Sequence, residues 1–227
     1  MKQTIVISLG GSLIIPKEID ISYLKKFSEL IYQLRKNYKI VIVTGGGITA
    51  RTYINGLRKI KLEEPYTSLV GIETTKVNAA LVAGFLKHFH LIPNSLTEVK
   101  KVLDKEGLVI CGALGFQPDM TSDGDAAQIA NYLHTEYFIN LTNVNGLYTK
   151  NPLVFSTAKF IPEISFEAFN KRVSKMKFKP GQHFVLDQSA ARLIYKHKLK
   201  TAIINGKKLQ EIKKFLEHKK FIGTIIK

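Results

Sequence analysis

The sequence predicts an α/β protein in which a largely parallel central sheet is sandwiched by helices. Three observations carry this reading. Short apolar runs rich in β-branched residues alternate, along 227 residues, with stretches whose apolar positions recur at helical spacing. Two of those runs end in glycine clusters that open onto helical patterns, Gly10-Gly11 and Gly45-Gly46-Gly47. The hydrophobic fraction of 45% against 23% charged residues supplies enough apolar surface for a full core.

The elements follow in order. Thr4 to Leu9 is a β-branched run and reads as a strand; Ile21 to Lys36 carries apolar residues at helical spacing. Lys39 to Thr44, KIVIVT, has the continuous apolar character of a strand buried on both faces. Ile48 to Ile60 reads as a helix, and Tyr66 to His88 as a long one rich in small residues. Leu108 to Cys111 is a short strand, Ser122 to Leu133 a helix and Tyr137 to Leu141 a strand. After Asn151-Pro152 the texture changes, and residues 153–183 read as loop-rich, with Lys171, Arg172, Lys175, Lys177 and Lys179. Phe184 to Lys196 is helical, Thr201 to Ile204 a strand, Lys207 to Glu217 a helix and Gly223 to Ile226 a closing strand. No Ser-, Gly- or Pro-rich linker divides the chain, so 1–227 reads as one domain.

Composition excludes several classes. No stretch approaches the ~20 uninterrupted apolar residues of a membrane span. The N-terminus begins directly on a strand pattern, without the form of a signal peptide. A single cysteine, Cys111, allows no intrachain disulfide, and with the other features this predicts a cytoplasmic protein. Its apolar setting reads as a buried, inert thiol. The six histidines are dispersed, and His88 and His90 do not share a helical face, so no metal ligand set is expected. The net charge of +16 is spread along the chain, denser from Lys196 to Lys220, without an RGG tract, RNP signature or zinc-finger spacing. It reads as a solvated surface on an enzyme with anionic substrates rather than as a nucleic-acid interface.

A strand that ends in glycines lets backbone approach a ligand closely, and the helix that follows offers unpaired N–H groups to an anion. Two such loops point to phosphate chemistry. Neither the G-x-x-x-x-G-K-[ST] nor the G-x-G-x-x-G pattern is present, so the scheme is neither a Walker loop nor a dinucleotide fold. Thr121, Ser122 and Asp123 precede a helical run, as N-caps do, and the exposed amides of such a cap also suit an anion. Arg51 lies one turn beyond the glycine triplet, where a guanidinium reaches back toward a phosphate.

Six blocks, ISLGGSL, VTGGGITARTYI, VGIETTKVNAALV, MTSDGDAAQIANYL, LTNVNGLYTKNP and FVLDQSAARLI, together resemble the amino acid kinase superfamily. They occur in that family's order and cover nearly the whole chain. Within it they are most similar to the uridylate kinases of the compact archaeal type. The resemblance implies an amino acid kinase (carbamate kinase-like) fold with an acceptor-binding lobe over about 1–135 and a nucleotide-binding lobe over about 136–227. It implies phosphoryl transfer from ATP with Mg²⁺, UMP as the first acceptor to expect, a place in pyrimidine nucleotide synthesis, and a homo-oligomer, dimer or hexamer.

The resemblance also distributes roles. Gly10, Gly11, Ser12, Gly47 and Arg51 fall to the ATP phosphates, and Thr142, Asn143, Tyr148 and Asn151 to the adenine nucleotide. Gly46, Thr121, Ser122 and Asp123 fall to the acceptor, with Ser68 before the long helix and Phe116 above it as a stacking surface for a base. Asp123, Arg51 and Asp187 are the candidate catalytic groups. Magnesium is expected to come with ATP, with few protein ligands.

Three positions depart from the family pattern. Ser8 stands where many members carry a lysine, Ser68 where a carboxylate holds ribose hydroxyls, and Asn145 and Asn151 where aspartates are usual. Asn keeps the hydrogen-bonding shape and drops the charge. These departures keep two other readings open: a sister kinase acting on isopentenyl phosphate or a carboxylate, and a non-catalytic nucleotide- or RNA-binding regulator. Asp125 is an additional carboxylate without an assigned role.

Overall fold

The computed structural model describes residues 2–117, 120–175 and 186–227. In chain order the elements are β1 (Gln3–Leu9), α1 (Gly11–Ile14), α2 (Ile21–Leu34), β2 (Tyr38–Thr44), α3 (Gly47–Lys59), α4 (Glu64–Phe85), α5 (Leu96–Glu106) and β3 (Leu108–Cys111). They continue with α6 (Ser122–Tyr132), β4 (Tyr137–Thr142), β5 (Leu147–Tyr148), β6 (Phe160–Ile161), β7 (Glu163–Ile164) and α7 (Phe166–Ser174). The chain closes with α8 (Gln188–His197), β8 (Thr201–Asn205), α9 (Leu209–Leu216) and β9 (Gly223–Ile226).

The sheet has the order β3-β2-β1-β4-β8-β9-β7 and is parallel except where β8 meets β9. The chain leaves β1 to build β2 and β3 on one side, then returns to place β4 on the other. Loops leaving β1 and β4 therefore part at the carboxyl edge, which is where open α/β sheets bind ligands.

Strand periodicity divides the core. Ile5, Ile7 and Leu9 of β1 face Leu24, Phe27 and Ile31 of α2 and Val82 of α4. Val6 belongs to the other layer, with Ala126, Ala127 and Ile129 of α6, Phe169 of α7 and Ile194 of α8. Ser8 shares the face of Val6 by the same alternation, so the one polar residue of β1's buried half is delivered to the α6 side. Asn140 of β4 is its register partner.

Two stretches correct the sequence reading. Residues 153–183 are not simply loop: Ser165 caps α7 through Ala168 N (3.2 Å), and Phe169 and Val173 are buried beneath it. α5 occupies a stretch given no element above. It starts at Ser95, whose Oγ accepts from Glu98 N at 3.2 Å, and stops at Gly107 with φ 69°. The late helix begins at Gln188; Phe184 and Val185, where it was expected to start, lie outside the described residues, as do Lys177 and Lys179.

His88 and His90 serve the sheet edge. β3 is an outer strand; His88 Nε2–H donates to Leu108 O (2.9 Å), and Ile110 N–H donates to His90 Nε2 (3.1 Å). Two side chains thus satisfy alternate backbone groups that a further strand would otherwise pair. Among the described residues no helix is long and apolar enough to cross a membrane.

Candidate active site

The glycine loops meet at the carboxyl edge of β1 and β2. Gly10 N–H donates to Leu141 O (3.1 Å) and Gly45 N–H to Leu9 O (2.9 Å), which ties the ends of β1, β2 and β4 together. The two loops then pack backbone on backbone. A Cβ at Gly11 would overlap Gly47 N and stand 2.5 Å from Gly45 O; Gly47, at φ 63°, would place one 2.6 Å from Gly11 O. No side chain fits between these loops, and at Gly47 the backbone itself adopts the left-handed region. Gly46 is the N-cap of α3 without a side-chain cap, so the first-turn amides of that helix have no side-chain acceptor from the cap.

α6 enters the same region by its N-terminus. Thr121 caps it, Oγ1 accepting from Asp123 N (3.2 Å), and Ser122 Oγ lies 3.5 Å from the Cβ position of Gly45. Asp187 caps α8 through Ala190 N (2.7 Å) with Oδ1. Its Oδ2 accepts from Thr121 N (3.0 Å), Thr121 Oγ1 (2.5 Å) and Gly124 N (3.2 Å). One carboxylate therefore fastens two helix N-termini together. A Cβ on Gly124 would overlap Met120 Cγ and lie 3.4 Å from that oxygen.

Asp123 projects from the first turn of α6 onto the sheet. Its Oδ1 accepts from Ser8 Oγ (2.6 Å) and Asn140 Nδ2 (2.9 Å), the neighbouring residues of β1 and β4. Burial pushes its carboxyl up to about 7, the charge of Asp187 adds to this, and the bonds from Ser8 and Asn140 oppose it. The serine at the family's lysine position is thus a neutral donor to the central carboxylate. Asn140 Oδ1 is buried and has no hydrogen-bond partner among the described residues. Nothing in the motif reading singled out Asn140. Its signal was a polar residue on the buried face of an otherwise apolar strand, FINL.

A pH dependence follows with a definite sign. Between about pH 4 and about 7 the folded chain keeps the Asp123 proton while the unfolded chain has lost it. Stability from this group is complete below that window and is lost as pH rises through about 7. Asp123→Asn is expected to flatten the fall in unfolding free energy from pH 5 to pH 8 by on the order of 2 kcal/mol, read by denaturant titration at each pH. Parallel curves for parent and variant would refute this.

α4 walls the site. Asn78 Nδ2 donates to Gly45 O (2.7 Å), Thr44 Oγ1 to Thr75 O (2.8 Å), and Ala113 N to Thr75 Oγ1 (2.8 Å). These buried threonines and asparagine explain the polar TTKVN stretch in the middle of a long helix: they hold α4 to the ends of β2 and β3. Ser68, on the second turn, bonds Glu64 Oε2 at 3.2 Å, and Glu64 Oε1 pairs with Arg58 at 3.0 Å. Arg51 is partly buried on α3 and forms no ion pair among the described residues. Phe116 is 43% exposed; Pro118 and Asp119 of the same segment lie outside the described residues.

The remaining predicted positions follow β4. Thr142 O accepts from Gly206 N (2.8 Å), and Thr142 and Asn143 stand at the strand's carboxyl end. Asn145 Oδ1 accepts from Asn205 Nδ2 (3.0 Å), so one amide joins the loops after β4 and β8. Tyr148 packs its ring 5.4 Å from Phe160, and its carbonyl accepts from Arg172 (3.0 Å). Asn151 caps a turn through Leu153 N (3.0 Å). The structure thus gathers Gly10, Gly11, Gly45–Gly47, Thr121–Asp123 and Asp187 at one point. It places Arg51 and Ser68 on the α3–α4 pair and Thr142–Asn151 at and beyond the carboxyl end of β4.

The chain is similar to known proteins. The model of the amino acid kinase family matches residues 3–205. A uridylate kinase of Methanobrevibacter smithii is 32% identical over 204 residues, 89% of each chain. One of Thermoplasma volcanium is 32% identical over 227 residues, covering 100% of this chain and 98% of its own. The crystal structure of uridylate kinase from Archaeoglobus fulgidus superposes with a TM-score of 0.85 at 29% identity, covering all of both chains. With the family matched over most of its length and its glycine loops converging on the α6 N-terminus, this chain belongs to the amino acid kinase family.

Proposed function

We propose that this chain is an ATP:UMP phosphotransferase that makes UDP and ADP. The observation that carries the reading is the convergence of two side-chain-free glycine loops with the Thr121–Asp123 helix start, held by Asp187. Phosphoryl transfer asks a protein mainly to position two anions and to stabilise the charge between them, and amides at helix starts do both. In this reading Gly10, Gly11, Ser12 and Gly47 hold the ATP phosphates, and Gly46, Thr121 and Ser122 hold the phosphate of UMP. Thr142, Asn143, Tyr148 and Asn151 form the adenine side of the site. The acceptor-binding lobe is then about 1–135 and the nucleotide-binding lobe about 136–227.

With Ser8 in place of a lysine, positive charge near the transferring group comes from Arg51 and from the magnesium that ATP brings. The donor set fits a metal carried by phosphates. Asp123 Oδ1 and both oxygens of Asp187 are already engaged by protein donors, and no group of three or more His, Cys, Asp or Glu suited to a metal occurs among the described residues. Asp123 orients the reacting oxygens, and Asp187 fixes the helix that carries it.

Self-association belongs to the same reading. Val77 is 67% exposed and Tyr66 61%, apolar side chains on α4 that support a dimer or a hexamer. The supporting relatives are named uridylate kinases, and that naming, with the site above, favours UMP over other acceptors.

The deciding experiment measures ADP release from Mg-ATP with UMP, CMP, AMP, GMP, isopentenyl phosphate and N-acetylglutamate. Turnover selective for UMP by at least about tenfold is the expected result. Turnover on isopentenyl phosphate or the carboxylate alone would assign a sister activity and refute the UMP reading. Silence with every acceptor, with ATP still bound, would favour a non-catalytic binder.

A further inference from the structure

Asp125 is the carboxylate that the site as described does not use. It sits in the first turn of α6, two residues after Asp123, and is 2% exposed. Among the described residues its side chain has one hydrogen-bond partner, a backbone amide: Leu114 N–H donates to Oδ1 at 3.3 Å. Among the described residues, Cys111 at the end of β3 and the Asp187 cap of α8 are the titratable groups coupled to its charge, and neither is a cation. A carboxylate buried with a single backbone donor and, among the described residues, no counter-charge is a costly residue, and an apolar side chain would stabilise that position better.

What the carboxylate holds is informative. The segment after β3 is pinned at three successive points from the two helices that flank it. Ala113 N–H donates to Thr75 Oγ1 of α4 (2.8 Å), Leu114 N–H to Asp125 of α6, and Gln117 Nε2 to Gln128 Oε1 of α6 (3.1 Å). Gly112 begins the segment so close to α4 that a Cβ there would stand 2.7 Å from Lys76 N. The segment carries Phe116, 43% exposed. Of the three anchors only Asp125 reaches the segment's middle from the helix whose N-terminus also bears Thr121, Ser122 and Asp123.

We propose that Asp125 is a positioning residue for the acceptor: by holding the Leu114 amide it fixes the 113–117 segment, and with it Phe116, in register with the α6 N-terminus. This rests on the reading of that segment as the acceptor side of the site. Burial pushes the Asp125 carboxyl up to about 7, and the charge of Asp187 adds to that, while the Leu114 amide opposes it. This is the pattern of a group kept for placement at a cost in stability.

The test separates the tether from the activity. The chain contains no tryptophan, so Phe116→Trp introduces a single fluorescent reporter on the segment itself. Acrylamide quenching of that reporter, without any substrate, is compared in the parental background, in Asp125→Ala and in Asp125→Asn. The amide keeps an acceptor oxygen of the same shape, whereas alanine removes it. Quenching is expected to rise about twofold or more in Asp125→Ala and to stay near parental in Asp125→Asn. In the chain without the reporter, Asp125→Ala is expected to raise the acceptor KM about tenfold while the ATP KM stays within about twofold. Asp125→Asn is expected to hold the acceptor KM within about threefold.

Quenching unchanged in Asp125→Ala overturns the tether, whatever the turnover. Equal rises in both KM values, with quenching unchanged, mark a general loss of packing and overturn it too. Quenching that rises in Asp125→Ala with no UMP turnover in any form upholds the tether and removes only the acceptor reading.

Discussion

Gly11→Ala is expected to abolish turnover and to destabilise the fold by about 2–4 kcal/mol. The added methyl group would overlap Gly47 N and stand 2.5 Å from Gly45 O and 2.6 Å from Gly47 Cα. All of these are backbone atoms at the ends of β1 and β2, and both strands are central in the sheet, so none can give way locally. The loops must part instead. Parting them displaces the amides that both phosphates would share, and displacement of that order near the reacting centre costs about 10²-fold or more. Gly56→Ala supplies the contrast. That glycine lies inside α3 with nothing within 4 Å of its Cβ position, so alanine should stabilise the helix by up to about 1 kcal/mol and leave turnover unchanged. Denaturant unfolding and ADP release on both variants decide the matter. Parental stability and turnover in Gly11→Ala would mean the loops are not in the contact described.

Asp187→Ala should be the most damaging change of a single polar side chain. It leaves Thr121 N–H, the Thr121 hydroxyl, Gly124 N–H and Ala190 N–H without their acceptor. Each buried donor left unsatisfied costs about 1–3 kcal/mol, so a loss of about 3–5 kcal/mol after partial relaxation is expected. The α6 N-terminus would also lose its fixed relation to α8, and turnover should fall by about 10²–10³-fold. Asp187→Ser separates the two effects. Serine restores a cap for α8, recovering about 1 kcal/mol of stability, yet it is too short to bridge to Thr121 and Gly124. Stability should therefore recover in part while turnover stays low. Recovery of both together would show that Asp187 acts only as a helix cap.

The sequence by itself determined β1 to β4, β8, β9 and the glycine loops. KIVIVT is a strand on any reading, because β-branched residues in an unbroken apolar run suit only a strand buried on both faces. Thr121 was legible as a helix start because capping is local, spanning two or three residues, whereas the helix expected from Phe184 starts only after the Asp187 cap. α5 is legible too, in the Ser95–Glu98 cap and Gly107. The paired two-residue strands β5 and β6 carry no period of their own. Their pairing exists only because the loops after β4 are packed against β9, where Thr224 Oγ1 bonds both Leu147 N and Ile161 O.

The tertiary structure alone decided which residues share a site. Ser8 and Asp123 are 115 residues apart, Asp187 and Thr121 are 66, and no local pattern couples them. They meet because β1 lies between β2 and β4, which puts Ser8 beside Asn140 on the face that α6 covers. The same crossing turned the departure at Ser8 from an apparent loss into a bond to the central carboxylate. It also gave Asp125 an amide to hold. Local chemistry fixes what each segment is, and the order of strands in the sheet fixes what each side chain touches.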